Sequence, residues 1–205
     1  MSDVKRAAIL EAGTQVFLTH GFGNASMDAI ARAAAVSKAT IYSHFDSKHG
    51  LFGAIIQASC QAMMDAARAA EGEHAGEPVD SPPEVTLTRV GRAFLDLLLA
   101  PESLPLYRAV VAEAVRFPEL GQVFYQMGPE PTAATLAAYL DAQNARGTLR
   151  VPDPRLAAEQ FYGMVLGHSH MKMLFGMTTG APAAEVKDRL VMGAVEVFIA
   201  GHRPS

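Results

Sequence analysis

The stretch that decides the fold is SMDAIARAAAVSKATIYSHF, residues 26–45. Ser26 and Ser37 each stand where a serine can cap a short helix, because its side-chain oxygen accepts a hydrogen bond from an amide of the first turn. The two helices are expected to run from Met27 to Ala34 and from Lys38 to about His44. Two short capped helices joined by a tight turn predict a helix-turn-helix.

Apolar residues in and before this stretch recur at helical spacing. They indicate an inward face on the two helices, packed against an earlier helix that ends near Gly21. The residues expected in this core are Ile30, Ala34, Val36, Ile41 and Phe45 on one side, and Ile9, Val16, Phe17 and Phe22 on the other.

The same arrangement leaves a small polar surface on the second helix, formed by Lys38, Ala39, Thr40, Tyr42 and Ser43. In a helix-turn-helix, the second helix enters the major groove of DNA with its first residues at the base edges. The short side chain at Ala39 would permit close approach to the DNA.

A lysine opens the fourth helix, which is predicted from Lys48 to about Ala70. The helix macrodipole disfavours a cation there by about 0.3–1 kcal/mol. A DNA phosphate at this helix start would explain the lysine, because free amides and the ammonium would converge on it. Each residue also has an alternative interpretation. Lys48 could be a solvated lysine at a frayed helix end, Tyr42 an aromatic residue at the edge of the core, and His44 a loop histidine. The spacing of all three residues from the helix caps favours DNA contact.

Composition sets the fold class. The 205 residues are 50% apolar and include 36 alanines, and alanine has the highest helix propensity. Long alternating segments are missing from the sequence, so we expect an all-α protein of about nine helices. The single Cys60 argues against a disulfide framework or a multi-cysteine zinc site. With no apolar run of about 18 residues and no signal peptide, we expect a cytoplasmic protein without a membrane partner.

The net charge of −4 at first argues against a nucleic-acid partner. The charge is unevenly placed, however: residues 1–50 carry +1 and residues 51–205 carry −5. Since phosphate contacts depend on where cations stand, the overall charge does not exclude DNA binding. We therefore expect a DNA-binding domain over residues 1–50 and a helical ligand-binding and dimerisation domain over residues 51–205, which contains a loop at residues 71–83.

Residues 12–51 closely resemble the DNA-binding domain of TetR-family transcriptional regulators. The resemblance rests on the segments FLTHGF (17–22), SMDAIA (26–31), VSKATIYSHF (36–45) and SK (47–48). It implies that Thr40, Tyr42, His44 and Lys48 touch the DNA backbone, and that Lys38, Ala39, Thr40 and Ser43 lie near base edges. The capping residues Ser26 and Ser37 complete the predicted DNA-binding set. Two positions depart from the family pattern, with Ala35 where glycine is frequent and Gly50 where an acidic residue is preferred.

The resemblance also implies partners: a palindromic double-stranded DNA operator, a second copy of the chain and a small-molecule effector, usually with repression as the outcome. No cofactor is implied. Residues 104–167, with the segments LYRAVVAEA (106–114) and FPEL (117–120), look similar to the AefR-like carboxyl-terminal domain of some TetR regulators.

The last two helices, predicted from Pro154 to about Gly176 and from Pro182 to Ala200, are candidates for the dimer interface. Small residues on one helix face allow another helix to approach closely, and the resemblance favours an intersubunit four-helix bundle. Ordinary packing within one chain is the alternative. The candidate residues are Gly163, Gly167, Leu190, Gly193, Ala194, Val197 and Phe198.

An effector pocket would be apolar with a few polar groups. For each candidate, ordinary core packing is the alternative, although methionine suits a permissive pocket. The candidate lining residues are Phe94, Leu98, Tyr107, Phe124, Tyr125, Met164, His168, Met171 and Phe175.

His168 and His170 do not predict a metal site, because residues two apart on a helix point to different faces. His168 lies four residues after Met164, which favours an inward position as a core histidine, with a ligand contact as the alternative. Cys60 is expected to be structural, since no nearby cation in sequence would lower its pKa for a redox role.

Two other classes of function remain open at this stage. A helical enzyme is the first, although the sequence contains no phosphate-binding glycine loop, nucleophile elbow or His-Glu-x-x-His helix. The second is a helical ligand-binding module without DNA binding, against which the intact pattern from Lys38 to Lys48 argues.

Overall fold

The computed structural model describes residues 2–71, 81–100, 103–177 and 183–204. These residues form ten helices and their connections, without a strand. The helices are α1 (Ser2–Asn24), α2 (Met27–Ala33), α3 (Lys38–His44), α4 (Lys48–Glu71), α5 (Pro83–Leu98), α6 (Ser103–Ala114), α7 (Pro118–Met127), α8 (Pro129–Arg146), α9 (Pro154–Leu174) and α10 (Ala184–Gly201).

The all-α prediction is confirmed. The expected nine helices become ten because residues 119–145, whose sequence indicates one interrupted helix, form two: α7 ends at Met127, and Pro129 begins α8. Residues 72–80 of the predicted loop and Pro182 lie outside the described residues. Within the described part of the chain, none of the helices has the length and apolar character needed to cross a bilayer.

The chain divides into two compact units, which do not follow the boundary expected after residue 50. The first unit comprises Met1–Ala62 and Pro105–Gly128, and the second comprises Met63–Leu104 and Pro129–Ser205. In the first unit Phe117, the residue before α7, contacts α4 and α1, since its ring centroid lies 3.9 Å from that of His49 and 5.9 Å from that of Phe22. The functional boundary after residue 50 stays a prediction.

The turn between α2 and α3 is built by backbone hydrogen bonds that end α2. The Val36 amide donates to the Ala31 carbonyl at 3.0 Å, and the Ala35 amide donates to the Arg32 carbonyl at 3.2 Å. This pairing is a Schellman motif, in which the residue after the cap takes a left-handed conformation. Ala35 occupies that position with φ +52°, where glycine would be unstrained.

We expect Ala35→Gly to stabilise the first unit. Left-handed φ costs an L-residue about 1–2 kcal/mol, whereas glycine adds about 0.4–1 kcal/mol of unfolded-chain entropy. The free energy of unfolding should therefore rise by about 0.5–1 kcal/mol, measured by denaturant titration. Ala33→Gly, at an exposed helical position, is the matched control and should lower it. If both substitutions destabilise the protein equally, Ala35 is not strained.

The core of the first unit is aromatic where α1 meets α4. Phe17 stacks on Phe22 with ring centroids 5.4 Å apart and contacts Phe52 edge-on at 5.0 Å. Gly21, with φ +73° and ψ 159°, breaks the helical path of α1 just before Phe22. The expected core residues Ile9, Val16, Phe17, Phe22, Ile30, Ile41 and Phe45 are buried, and Ala34 and Val36 are half-buried.

Cys60 is buried in α4, and burial raises the pKa of its thiol to about 11. We expect the native thiol to react with Ellman's reagent at pH 8 about 100-fold more slowly than in denaturant, because each pKa unit changes the thiolate population about tenfold. Because the folded pKa is raised, the thiol's contribution to stability is present below its ordinary pKa and is lost as pH rises toward 11. Equal rates in native and denatured protein would contradict this assignment.

The second unit packs α5, α8, α9 and α10 around one apolar core. Phe161 and Phe198, on α9 and α10, meet edge-on at 5.5 Å in its centre. Polar contacts tie the helices at its edge: Arg155 at the start of α9 makes a two-pronged pair with the Glu130 carboxylate of α8, at 3.0 and 2.6 Å. The apolar core and the polar contacts at its edge fix the positions of α9 and α10, and therefore of their outer faces.

Candidate nucleic-acid interface

The caps predicted for α2 and α3 are present and position the exposed end of α3. The Ala29 amide donates to Ser26 Oγ at 3.1 Å, and the Thr40 amide donates to Ser37 Oγ at 3.0 Å. Ile41 is fully buried on the opposite side of α3. Because one side of this two-turn helix is anchored in the core, its other side is presented outward in a fixed orientation.

The outward side of α3 carries the residues predicted to face DNA. Lys38, Ala39 and Ser43 are exposed, and Tyr42 retains 45% of its surface. Thr40 is half-buried, as are His44 and Lys48. The structure therefore brings a cation, two hydroxyls and a small residue together on one exposed surface, which we call the α3 face (residues 38, 39, 42 and 43).

Hydroxyl groups at the start of α3 are engaged within the helix itself. Ser37 Oγ and Thr40 Oγ1 lie 2.8 Å apart, and Ser43 donates to the Thr40 carbonyl at 2.8 Å. These bonds restrict the rotamers of the hydroxyl groups. A surface with restricted side chains loses less conformational freedom on binding.

Lys38 is paired across the turn with Asp28, in the first turn of α2. Lys38 Nζ donates to Asp28 Oδ2 at 3.0 Å, and both side chains are about half exposed. The hydrogen bond and the charge of Asp28 raise the pKa of Lys38, so the side chain stays cationic. The sequence analysis did not pair these residues. Their opposite charges, in the first turns of two helices expected to pack together, are the signal that could have indicated the pair.

Lys48 has a partner inside the chain. Its Nζ donates to the Gly23 carbonyl at 3.2 Å and lies 4.5 Å from the centroid of the Phe22 ring. Burial lowers the pKa of Lys48, opposed by the carboxylate of Glu113. An ammonium at the carboxyl-terminal carbonyls of α1 is favourable. The lysine at the start of α4 is thus explained without DNA, and its phosphate contact stays a prediction.

The nine predicted pocket residues divide between the two units. In the first unit the rings of Tyr107 and Phe124 lie 5.5 Å apart, and Tyr125 is 48% exposed. In the second unit Phe94 contacts Tyr162 at 4.4 Å. Leu98 and Met164 there are half-buried, whereas Met171 and Phe175 are exposed. A shared pocket stays a prediction.

The prediction of an inward, core position for His168 is wrong, since His168 is exposed. Gly167, with φ +51° and ψ −156°, interrupts the helical path of α9 between Met164 and His168. The four-residue spacing therefore no longer places both on one face. Beyond the interruption Met173 is buried and His170 is half-buried, and burial lowers the pKa of His170.

Two of the predicted dimer residues, Ala194 and Phe198, lie in the core of their own chain, 5% and 2% exposed. They face α9 and α5 rather than outward, which corrects that part of the prediction. A Cβ at Gly167 would lie 3.2 Å from Leu190 Cδ2, so these two positions also meet within the chain. Gly163, Gly193 and Val197 are exposed and stay interface predictions.

Comparisons with known proteins agree with this geometry. Residues 9–55 match the family model described as bacterial regulatory proteins, tetR family. Residues 85–204, more than half of the chain, match the one described as AefR-like transcriptional repressor, C-terminal domain. Together the two matches cover the helix-turn-helix and most of the second unit.

Individual relatives are similar to this chain over part or almost all of its length. The HTH-type transcriptional regulator UidR of Escherichia coli is 47% identical over 51 residues, which are 25% of this chain and 26% of UidR. The chain therefore matches about a quarter of that curated relative's length.

Two solved structures resemble the chain along almost its whole length. A TetR-family regulator from Mesorhizobium loti superposes with a TM-score of 0.85 at 29% identity, covering 99% of this chain and 98% of that one. The flavonoid-responsive regulator FrrA superposes with a TM-score of 0.80 at 31% identity, covering 98% and 97%. The family and these relatives are transcriptional regulators, which removes the helical-enzyme alternative. The chain belongs to the TetR family of bacterial transcriptional regulators, with an AefR-like carboxyl-terminal domain.

Proposed function

We propose that this chain is a ligand-responsive repressor that binds a palindromic operator as a homodimer and is released by a small apolar molecule. The observation that carries the proposal is the α3 face, which a buried Ile41 and two serine caps hold outward. The exposed Lys38 ammonium and Tyr42 hydroxyl of this face can donate hydrogen bonds to acceptors on base edges and phosphates. The AefR-like repressor match supports repression as the outcome.

The homodimer is supported by the outer faces of α9 and α10. Gly163 and Gly193 are exposed and have open space around a Cβ position. On α10, Met192 and Val197 keep 52% and 61% of their surface. Apolar residues beside small ones suit a two-fold interface with a second copy, since a helix can approach closely there. For a two-fold helix-turn-helix dimer, half-sites are expected about 34–36 Å apart.

The effector is proposed to be small, apolar and partly aromatic. FrrA is by its description flavonoid-responsive, and the chain carries adjacent aromatic rings in each unit, at Phe94 with Tyr162 and at Tyr107 with Phe124. Flavonoids are therefore the first compounds to test. An effector changes operator occupancy only if its affinity differs between the DNA-competent state and the other state.

The test is selection of duplexes from a random pool by the full chain, followed by fluorescence anisotropy on the enriched sequence with and without a flavonoid panel. We expect a palindromic sequence to be enriched and at least one compound to weaken binding. Failure to enrich any sequence would contradict operator binding, whereas strengthened binding with a compound would contradict release by the effector.

We expect Tyr42→Ala to weaken binding of the selected duplex and of an unrelated duplex by a similar factor. A lost hydrogen bond to the DNA backbone costs about 1 kcal/mol net, and the proposed dimer loses two, which is about tenfold to a hundredfold in affinity. Because Tyr42 is 45% exposed, its replacement should leave the melting temperature unchanged, which serves as the control. Unchanged affinity for both duplexes would remove Tyr42 from the interface.

A further inference from the structure

The cation of the α3 face is held by a residue outside that face. Asp28 belongs to α2, yet its Oδ2 accepts from Lys38 Nζ at 3.0 Å. Asp28 stands in the first turn of α2, at the end far from the inter-helix turn, and Lys38 in the first turn of α3, so the packing of α2 on α3 brings together two residues ten apart in sequence. The Asp28 carboxylate therefore lies to one side of the Lys38 ammonium and biases its position.

We propose that Asp28 is a specificity-determining residue, which positions Lys38 for base readout and withholds its charge from phosphates of unrelated DNA. This inference rests on the proposed operator binding. Phosphate attraction is independent of sequence and supplies essentially all non-specific affinity. The Asp28 carboxylate beside the Lys38 ammonium lowers this attraction on DNA in which Lys38 finds a phosphate but no matching base edge.

The exposure of the pair suits such a role. Lys38 and Asp28 keep 49% and 59% of their side-chain surface, and exposed ion pairs are weak and screened by salt. A base-edge acceptor at the right place can therefore share or replace the carboxylate. A phosphate elsewhere must first overcome repulsion from Asp28, since both groups are anionic.

Asp28 also stabilises its own helix, because a carboxylate in the first turn of α2 interacts favourably with the helix macrodipole. That helix role alone would not involve Lys38. The two roles are separable, because Asp28→Glu keeps a carboxylate that can reach Lys38, whereas Asp28→Asn keeps the size but removes the charge. Asp46→Asn removes the same charge at the other end of α3 and is the matched control.

The test compares the full chain and these variants by fluorescence anisotropy on the selected duplex and on a shuffled one, across a salt series. We expect Asp28→Asn to raise affinity for the shuffled duplex about twofold to fivefold. We also expect the slope of log affinity against log salt concentration to steepen by about 1.8, the increment for two added phosphate contacts, one from each subunit of the proposed dimer. The selected-to-shuffled affinity ratio should fall. Asp28→Glu and Asp46→Asn should keep the ratio of the unmodified chain.

A double-mutant cycle with Lys38→Met decides whether Asp28 acts through Lys38. We expect Asp28→Asn to change nothing further in the Lys38→Met background. An equal gain in both backgrounds would overturn the proposal, because Asp28 would then act as a bare negative charge near DNA. If Asp28→Asn binds the selected duplex normally and keeps the selected-to-shuffled affinity ratio of the unmodified chain, the proposal is also overturned, while operator binding stands. If the unmodified chain enriches no duplex, both proposals fail.

Discussion

Phe161→Ala is expected to destabilise the protein by about 3–5 kcal/mol, the range for truncating a buried phenylalanine. Its side chain is fully buried at the centre of the second unit. The ring meets Phe198 edge-on at 5.5 Å and Tyr162 at 5.8 Å. It also reaches α5, where a Cβ at Gly91 would lie 3.5 Å from its Cζ. The substitution leaves a cavity bordered by α5, α9 and α10, which cannot collapse without shifting several helices.

The measurement is guanidinium-induced unfolding followed by far-ultraviolet circular dichroism at one protein concentration. Phe175→Ala is the matched control, since it makes the same change just after the end of α9 at a residue 73% exposed. Surface substitutions of this kind change stability by about 0.5 kcal/mol or less. Similar losses for the two variants would mean that Phe161 does not lie in a close-packed core.

Local signals in the sequence predicted the helix boundaries near the candidate site well. Ser26 and Ser37 each accept an amide hydrogen bond at a helix start. Such caps act over three residues, so they can be read from the sequence without knowing the tertiary fold. The inward and outward faces of α3 followed from the same short-range periodicity, as the buried Ile41 and the exposed Tyr42 show.

Other features depend on conformation or on residues distant in sequence. His168 was misplaced because the 3.6-residue period assumes an unbroken helix, and Gly167 breaks it. Gly23, the partner of Lys48, lies 25 residues away. Lys48 meets that carbonyl just after α1 departs from its helical path at Gly21. The sequence predicts a helix end near Gly21, but not the direction in which the chain continues.

The predicted dimer residues show a further limit of sequence patterns. Ala194 and Phe198 have the small and apolar character of an interface, but the same character serves packing within one chain. Packing within one chain and packing between two chains both remove apolar surface from water, so both favour the same residue types. The position of neighbouring helices decides between them, and for these two residues α5 and α9 occupy that place.

Gly21→Ala is expected to destabilise the first unit by about 1–3 kcal/mol, the range for a residue held in a sparsely populated backbone conformation. Its φ of +73° with ψ 159° belongs to a region that only glycine adopts readily. A Cβ there would have open space around it, so the cost is conformational rather than steric. If the chain straightens instead, Phe22 moves from Phe17 and Lys48 loses both the Phe22 ring and the Gly23 carbonyl.

Gly23→Ala is the matched control, because Gly23 is also exposed with open space around a Cβ, and its backbone is helical. There alanine should be neutral or stabilising by about 0.5–1 kcal/mol. The two variants are compared by thermal unfolding and by anisotropy on the selected duplex. We expect Gly21→Ala alone to lower both the melting temperature and the affinity, since the turn of α1 positions the Gly23 carbonyl and the Phe22 ring against Lys48, a predicted phosphate contact. Equal melting temperatures would show that the turn does not need glycine, and reduced stability with unchanged affinity would separate the turn from DNA binding.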